Sequence, residues 1–237
     1  MERKFMKKKT VFNIAFSAMM IALAICFDLL GKFVIVLQMP NGGGVSLTML
    51  PLIMITIICN YKYGLVSGAA FGVINCFLID GYSFNLASFI LDYIIAFSGL
   101  AIIGIFAKQI KEGKKKYFIL GVILGLVIRL IASGFSGVIN AGVWGYDAEF
   151  LSGVFNGGVD NNNYMIYLYI YSFLIYNLPY IAISGIISIL IGLFTYPKLL
   201  SFIEIDKENI VVSKEMTNIT KTSLTNIVDT ILIKTLK

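Results

Sequence analysis

From residue 11 to residue 196 the sequence is a succession of long apolar runs separated by short polar breaks. A run of about 20 apolar residues is the length of helix that crosses a hydrocarbon core. Backbone inside lipid must also satisfy its own hydrogen bonds, which leaves helices as the element such runs can form. The runs fall at roughly 11–30, 46–60, 63–80, 85–107, 117–142 and 165–196, predicting an all-α membrane protein with six transmembrane helices. The second run is short and carries Pro51 in its first turn, where a missing N–H does no harm. Asn60-Tyr61-Lys62-Tyr63-Gly64 supplies the polar, Gly-containing break that separates the second helix from the third. With 58% apolar and 14% charged residues, no material is left for a large aqueous domain.

Charge placement predicts the orientation. Arg3, Lys4, Lys7, Lys8 and Lys9 precede the first run, and Lys62 joins the second to the third. Lys108, Lys111, Lys114, Lys115 and Lys116 join the fourth to the fifth, and six lysines follow residue 197. Seventeen of the 19 basic residues thus fall on one side; Lys32 lies on the other and Arg129 inside the fifth run. By the positive-inside rule both termini are cytoplasmic. The net charge of +6 therefore reads as membrane placement, with no nucleic-acid partner expected. The first run is as long as a full span and no clear cleavage site comes after it, so it is expected to stay as a helix.

The expected organisation is a basic N-terminus over 1–10, a transmembrane domain over 11–197 and a polar cytoplasmic tail over 198–237. In the tail, Ile219, Leu224, Ile227, Ile231 and Leu232 fit either an interfacial amphipathic helix or a mobile tail. The first outer loop, 31–45, is Gly-rich. The last, 143–164, is the longest and holds Asp147, Glu149 and Asp160. A loop of that length is either a lid or an unstructured connection.

Little reactive chemistry is available. Histidine is absent, and Cys26, Cys59 and Cys76 all lie within apolar runs, so neither a disulfide framework nor a metal site is expected. Within the apolar runs no pair of carboxylates stands at i, i+4, and no phosphate-binding loop is present in the chain. An enzyme is not expected, nor a cofactor.

Ionisable residues within spans are costly and mark sites by default. Asp92 lies about two turns into the fourth run from outside. It sits on a small and polar stripe formed by Asn85, Ser88, Asp92, Ala96 and Gly99. Arg129 lies mid-way along the fifth run, with Gly125, Ser133, Ser136 and Asn140 on nearby turns. Two readings stand for Asp92: a partner for a cationic ligand, or a structural ion pair with Arg129. Asp28 and Asp80, at outer helix ends, are read as helix-end residues. Tyr93, Trp144, Tyr146, Tyr164, Tyr167, Tyr169, Tyr171 and Tyr176 crowd the outer half, either as an interfacial belt or as a stacking pocket. Gly64, Gly68 and Gly72 permit close helix approach in the third run, and Ala18 and Ala22 form a pair one turn apart in the first.

Several of these segments together resemble a family. They are Met39-Pro40-Asn41-Gly42-Gly43-Gly44-Val45-Ser46-Leu47-Thr48-Met49-Leu50-Pro51, Leu91-Asp92-Tyr93-Ile94-Ile95-Ala96-Phe97, Ser136-Gly137-Val138 and Tyr171-Ser172-Phe173-Leu174-Ile175-Tyr176-Asn177. They are similar to the thiamine-specific group among the substrate-binding S components of energy-coupling-factor vitamin transporters, over roughly residues 10–197. The resemblance implies vitamin binding near the outer leaflet and release inside by tilting in the membrane. The work is driven by a transmembrane partner subunit and two ATPases.

It also implies that Asp92 and Tyr93 meet the cationic ligand, that Asn177 contacts it, and that Ala18 and Ala22 face the transmembrane subunit. Where the family places a histidine, this chain has Ser133. The position of a pocket tryptophan is Ala141, with Trp144 three places later, and either Tyr171 or Ser172 fills a further ligand position. Other vitamins (folate or a pyrimidine precursor), a small membrane-embedded enzyme and a structural subunit are the alternative readings.

Overall fold

The computed structural model describes residues 2–33, 38–40, 42–80 and 85–203. Expectations for the basic side chains up to Lys8, the Asp80 side chain and the tail pattern from Ile219 to Leu232 fall outside the described residues. The described chain divides into two units, Met1–Phe194 and Thr195–Lys237. Of the second, residues 195–203 are described and are helical.

The first unit is helical, and its β pairing among the described residues is one isolated bridge, Gln38 to Gly44, within the first outer loop. Helix α1 spans Glu2–Phe33, so the basic N-terminus is the first turns of the same helix as the first apolar run. Helix α2 is Met49–Ile58 and α3 is Tyr61–Ile74, which continues as a π-helical turn over Asn75–Asp80. Helix α4 runs Leu86–Lys111 and α5 Lys115–Ile139. Two short helices come next in the long outer loop, α6 (Ala141–Trp144) and α7 (Ala148–Val154). Helix α8 starts at Tyr164 and continues to the end of the unit. Four helices, α1, α4, α5 and α8, are long and apolar enough to cross a membrane. Helix α2 is a shorter apolar helix of 10 residues, where the sequence suggested a span.

The reason lies in its surroundings. Met49 through Ile57 are all buried, so α2 presents no lipid face; it packs on α1, α3 and α4. A helix apolar all round is a core helix. Its end is set where the sequence marked it: the Asn60 side chain accepts from the Lys62 backbone N–H at 3.3 Å and caps α3. Helix α5 shows the opposite pattern. Phe118, Val122, Gly125, Arg129, Ala132, Ser133 and Ser136 are buried while Ile123, Val127, Ile131 and Phe135 are exposed, one face inward and one toward lipid.

The glycines of α3 act as the sequence suggested. A Cβ at Gly68 would come within 2.6 Å of the Phe97 carbonyl oxygen, and one at Gly72 would collide with the Tyr93 carbonyl. Glycine at those two positions lets α4 lie against α3 backbone to backbone, which fixes the depth of Asp92 and Tyr93.

Candidate functional site

Two π-helical turns place the polar side chains. One, Phe89–Ile95, interrupts α4 and carries Asp92 and Tyr93; the other, Tyr171–Asn177, interrupts α8 and carries Ser172, Tyr176 and Asn177. A π turn inserts a residue into the helical register and re-aims the side chains beyond it, a common device at sites. Both turns border one cavity, of about 90 Å³, in the half of the bundle that bears the long loop.

The stripes read separately on the fourth and fifth runs meet there. Ser88 Oγ donates to Asp92 Oδ2 at 3.2 Å, and the Ser136 hydroxyl donates to the same oxygen from α5. Further out, Asn85 Nδ2 donates to Asn140 Oδ1, and Asn140 Nδ2 donates to the Ser136 backbone carbonyl at 2.8 Å. Two serine hydroxyls, one from each side of the α4–α5 seam, thus hold the carboxylate of Asp92 in place, and the asparagine amides tie the same seam further out. The expected ion pair with Arg129 is not formed among the described residues. Arg129 lines the same cavity and lies over the Phe97 ring, 4.8 Å from guanidinium carbon to centroid, while Asp92 accepts from the two serine hydroxyls.

Asn177 is buried and held on every side. Its Nδ2 donates to the Ser172 carbonyl at 2.8 Å and the Ser133 carbonyl at 3.3 Å, while its Oδ1 accepts from Tyr180 Oη at 2.7 Å. With both N–H groups committed to backbone, the atom left to a ligand is the Oδ1, which keeps a second lone pair. Tyr93, Trp144, Tyr146, Tyr176 and Tyr180 supply the flat walls, and Tyr176 Oη donates to the Gly42 carbonyl at 2.9 Å, latching the Gly-rich loop over the cavity.

Of the residues predicted from sequence, Asp92, Tyr93, Ser133, Trp144, Asn177 and Arg129 line this cavity together. Tyr171 does not. It turns into the aromatic cluster with Tyr146 and Phe150, its ring centroid 4.9 Å from that of Tyr146, and Ser172 takes the place at the cavity wall. Consecutive helical residues point about 100° apart, so residues 171 and 172 meet different surroundings. Tyr180 and Gly43 carried no sequence signal as site residues. They come together because the loop crosses α8: a Cβ on Gly43, whose φ is +79°, would meet the Tyr180 ring at 3.0 Å. The long outer loop is ordered. Asp147 caps α7 by accepting from the Phe150 N–H at 2.8 Å, and Tyr164 Oη donates to the Tyr146 carbonyl at 2.7 Å.

Ala18 and Ala22 are exposed on α1, on a face shared with Val11, Met19 and Leu23, while Asn13, Phe16, Met20 and Ala24 form the buried stripe. Asp28 is more than a helix-end residue: its carboxylate accepts from Asn75 Nδ2 at 2.8 Å and borders a second cavity.

Helices long and apolar enough to cross a membrane, around a cavity lined by a carboxylate, an amide oxygen and six aromatic rings, define a membrane-embedded small-molecule binding protein. The thiamine transporter protein family model (Thia_YuaJ) matches residues 14–183. The chain belongs to that family, and is a multi-pass protein of the prokaryotic plasma membrane. Its sequence is similar to thiamine transporter ThiT of Bacillus subtilis (strain 168), 31% identical over 188 residues, covering 77% of this chain and 91% of that protein. Its fold is similar to a solved structure of ThiT from Listeria monocytogenes, with a TM-score of 0.60 and 23% identity over 81% of this chain and 98% of that one.

Proposed function

We propose that this chain is the vitamin-binding S component of an energy-coupling-factor importer, with thiamine as its ligand. The observation that carries the reading is Asp92, a carboxylate set inside the bundle, held by two serines and facing a cavity walled by aromatic rings. Thiamine carries a fixed positive charge and an aminopyrimidine. The carboxylate answers the charge, the rings offer faces for stacking and cation–π contact, and Asn177 Oδ1 accepts from the exocyclic amine. A ligand whose charges are carboxylates would find no matching partner in Asp92. The cavity as it stands is below the volume range of about 300–1,000 Å³ usual for ligand pockets, so admission of the vitamin goes with lifting of the latched Gly-rich loop.

The membrane domain comprises six apolar helical segments, α2 buried among the others, with both termini in the cytoplasm, and the exposed alanine pair of α1 receives the transmembrane partner. Two ATPases energise release by tilting the S component in the bilayer. Equilibrium binding of purified full-length protein to thiamine, folate and an aminopyrimidine precursor tests the reading. Thiamine is expected to bind tightest; preference for either of the others replaces it with the corresponding vitamin.

A further inference from the structure

Two cavities share a wall. The first, beside Asp92, holds about 90 Å³ and is too small for a vitamin of two rings. The second, beneath the Gly-rich loop, holds about 360 Å³, inside the range of about 300–1,000 Å³ usual for ligand pockets. Gly42, Gly43, Phe97 and Arg129 line both. On the helix side the wall is therefore one stack, the Arg129 guanidinium lying 4.8 Å from the centroid of the Phe97 ring.

The two halves of that stack are fastened differently. Phe97 is buried and fixed, edge-on to Phe71 with ring centroids 4.7 Å apart. Arg129 has Nε and Nη1 buried without a hydrogen-bond partner. Moving the guanidinium off the ring breaks no hydrogen bond of those two nitrogens and gives up a cation–π contact. The face of Phe97 thus already holds a planar cation, and a second planar cation competes for it on equal chemical terms. The charged side chains lining the two cavities are Asp92, Asp28, Arg129 and Lys32, two of each sign. Arg129 lies within electrostatic range of Asp92. A cationic ring held by the Asp92 carboxylate therefore repels the guanidinium and drives it from the ring.

We propose that the two cavities form one ligand chamber, with the Arg129–Phe97 stack as its displaceable partition. The planar cationic ring of the ligand takes the guanidinium's place on Phe97, and the polar arm of that ring extends into the second cavity beside Ser46. The aminopyrimidine stays in the first cavity. This inference rests on the proposed vitamin-binding function and adds Phe97 and the lining of the second cavity to its site.

The test fills the second cavity alone. Ser46 lines the second cavity and not the first. Affinities for thiamine and for the aminopyrimidine precursor are measured on full-length, detergent-purified wild type and Ser46→Phe. The thiamine-to-precursor affinity ratio is expected to fall tenfold or more, because only the larger ligand needs the filled space. Ser46→Phe also breaks the 2.8 Å hydrogen bond between Ser46 Oγ and Thr48 Oγ1. Thr48→Val breaks the same bond from a residue that lines neither cavity, and is expected to leave the ratio unchanged. Should Ser46→Phe fail to fold, Met39→Trp fills the same cavity from the loop. In Arg129→Met thiamine affinity is expected not to fall, since the ligand displaces that side chain. A ratio that stays constant in the filled variant, or a tenfold loss of thiamine affinity in Arg129→Met, overturns the shared chamber while the vitamin-binding function stands. Failure of wild type to bind thiamine overturns both.

Discussion

Asp92 and Trp144 carry separable parts of the proposed recognition. The Asp92 carboxylate is already held by Ser88 and Ser136, so a ligand meets it without a conformational cost at that side chain. Asp92→Asn keeps the shape and removes the charge. Thiamine affinity is expected to fall by about 1.5–3 kcal/mol, the range for hydrogen bonds to charged groups, or roughly ten- to hundredfold. Calorimetric titration of folded protein checks it, and an unchanged affinity would leave Asp92 with a packing role alone. Trp144 lines the cavity at the end of α6 and also packs beside Tyr146, Leu151 and Tyr171. If it stacks on the cationic ring, Trp144→Ala costs about 1–2 kcal/mol of binding. If it serves only the aromatic cluster, melting temperature drops while affinity holds, so the two measurements together separate the roles.

At the scale of elements, the seam between α3 and α4 sets where the site lies. Gly72 allows the Tyr93 carbonyl to approach the α3 backbone with no side chain between them. Gly72→Ala inserts a methyl into that contact, and overpacking of this kind costs about 1–3 kcal/mol. The expected result is a lower melting temperature in detergent together with weaker thiamine binding, because α4 carries Asp92 away from α5 as it moves. The control is Gly113→Ala: at Gly113 nothing lies within 4 Å of an added Cβ, although φ is +81°. Its cost is therefore local backbone strain in an exposed turn, without an effect on affinity. A Gly72→Ala protein that keeps wild-type affinity would disconnect the seam from the site.

For the molecule as a whole, two expectations concern its place in the membrane and its partner. Ala18 and Ala22 are exposed and small, so a partner helix can approach α1 closely there. Replacing both with tryptophan is expected to abolish co-purification with a transmembrane subunit while thiamine binding persists, since neither residue lines the cavity. Retained co-purification would move the contact elsewhere. Orientation is read by labelling single cysteines, Lys114→Cys and Ser152→Cys, after Cys26, Cys59 and Cys76 are replaced with alanine. A membrane-impermeant reagent applied to whole cells is expected to label position 152 and spare position 114; the reverse pattern would invert the assigned topology.

By itself the sequence determined the helical class, the membrane environment, the break at Asn60 and the two polar stripes. Each comes from length, apolarity or helical spacing, which are local properties of the chain. It also marked Asp92, a charge within an apolar run, and Trp144, the sole tryptophan at the start of the outer loop, whereas Tyr93, Ser133 and Asn177 came as ligand positions from the resemblance to the family. Tertiary structure decided the rest. It made α2 a buried core helix, since burial on all sides depends on what surrounds it. It settled which of Tyr171 and Ser172 faces the cavity, Ser172 lining it and Tyr171 packing on Tyr146 and Phe150, because that depends on how α8 is rotated against its neighbours. It gave the Asp92 carboxylate serine donors from two helices and laid the Arg129 guanidinium over the Phe97 ring. And it brought Gly43 to Tyr180 and Arg129 to the edge of a second cavity, contacts between distant segments for which no local pattern exists.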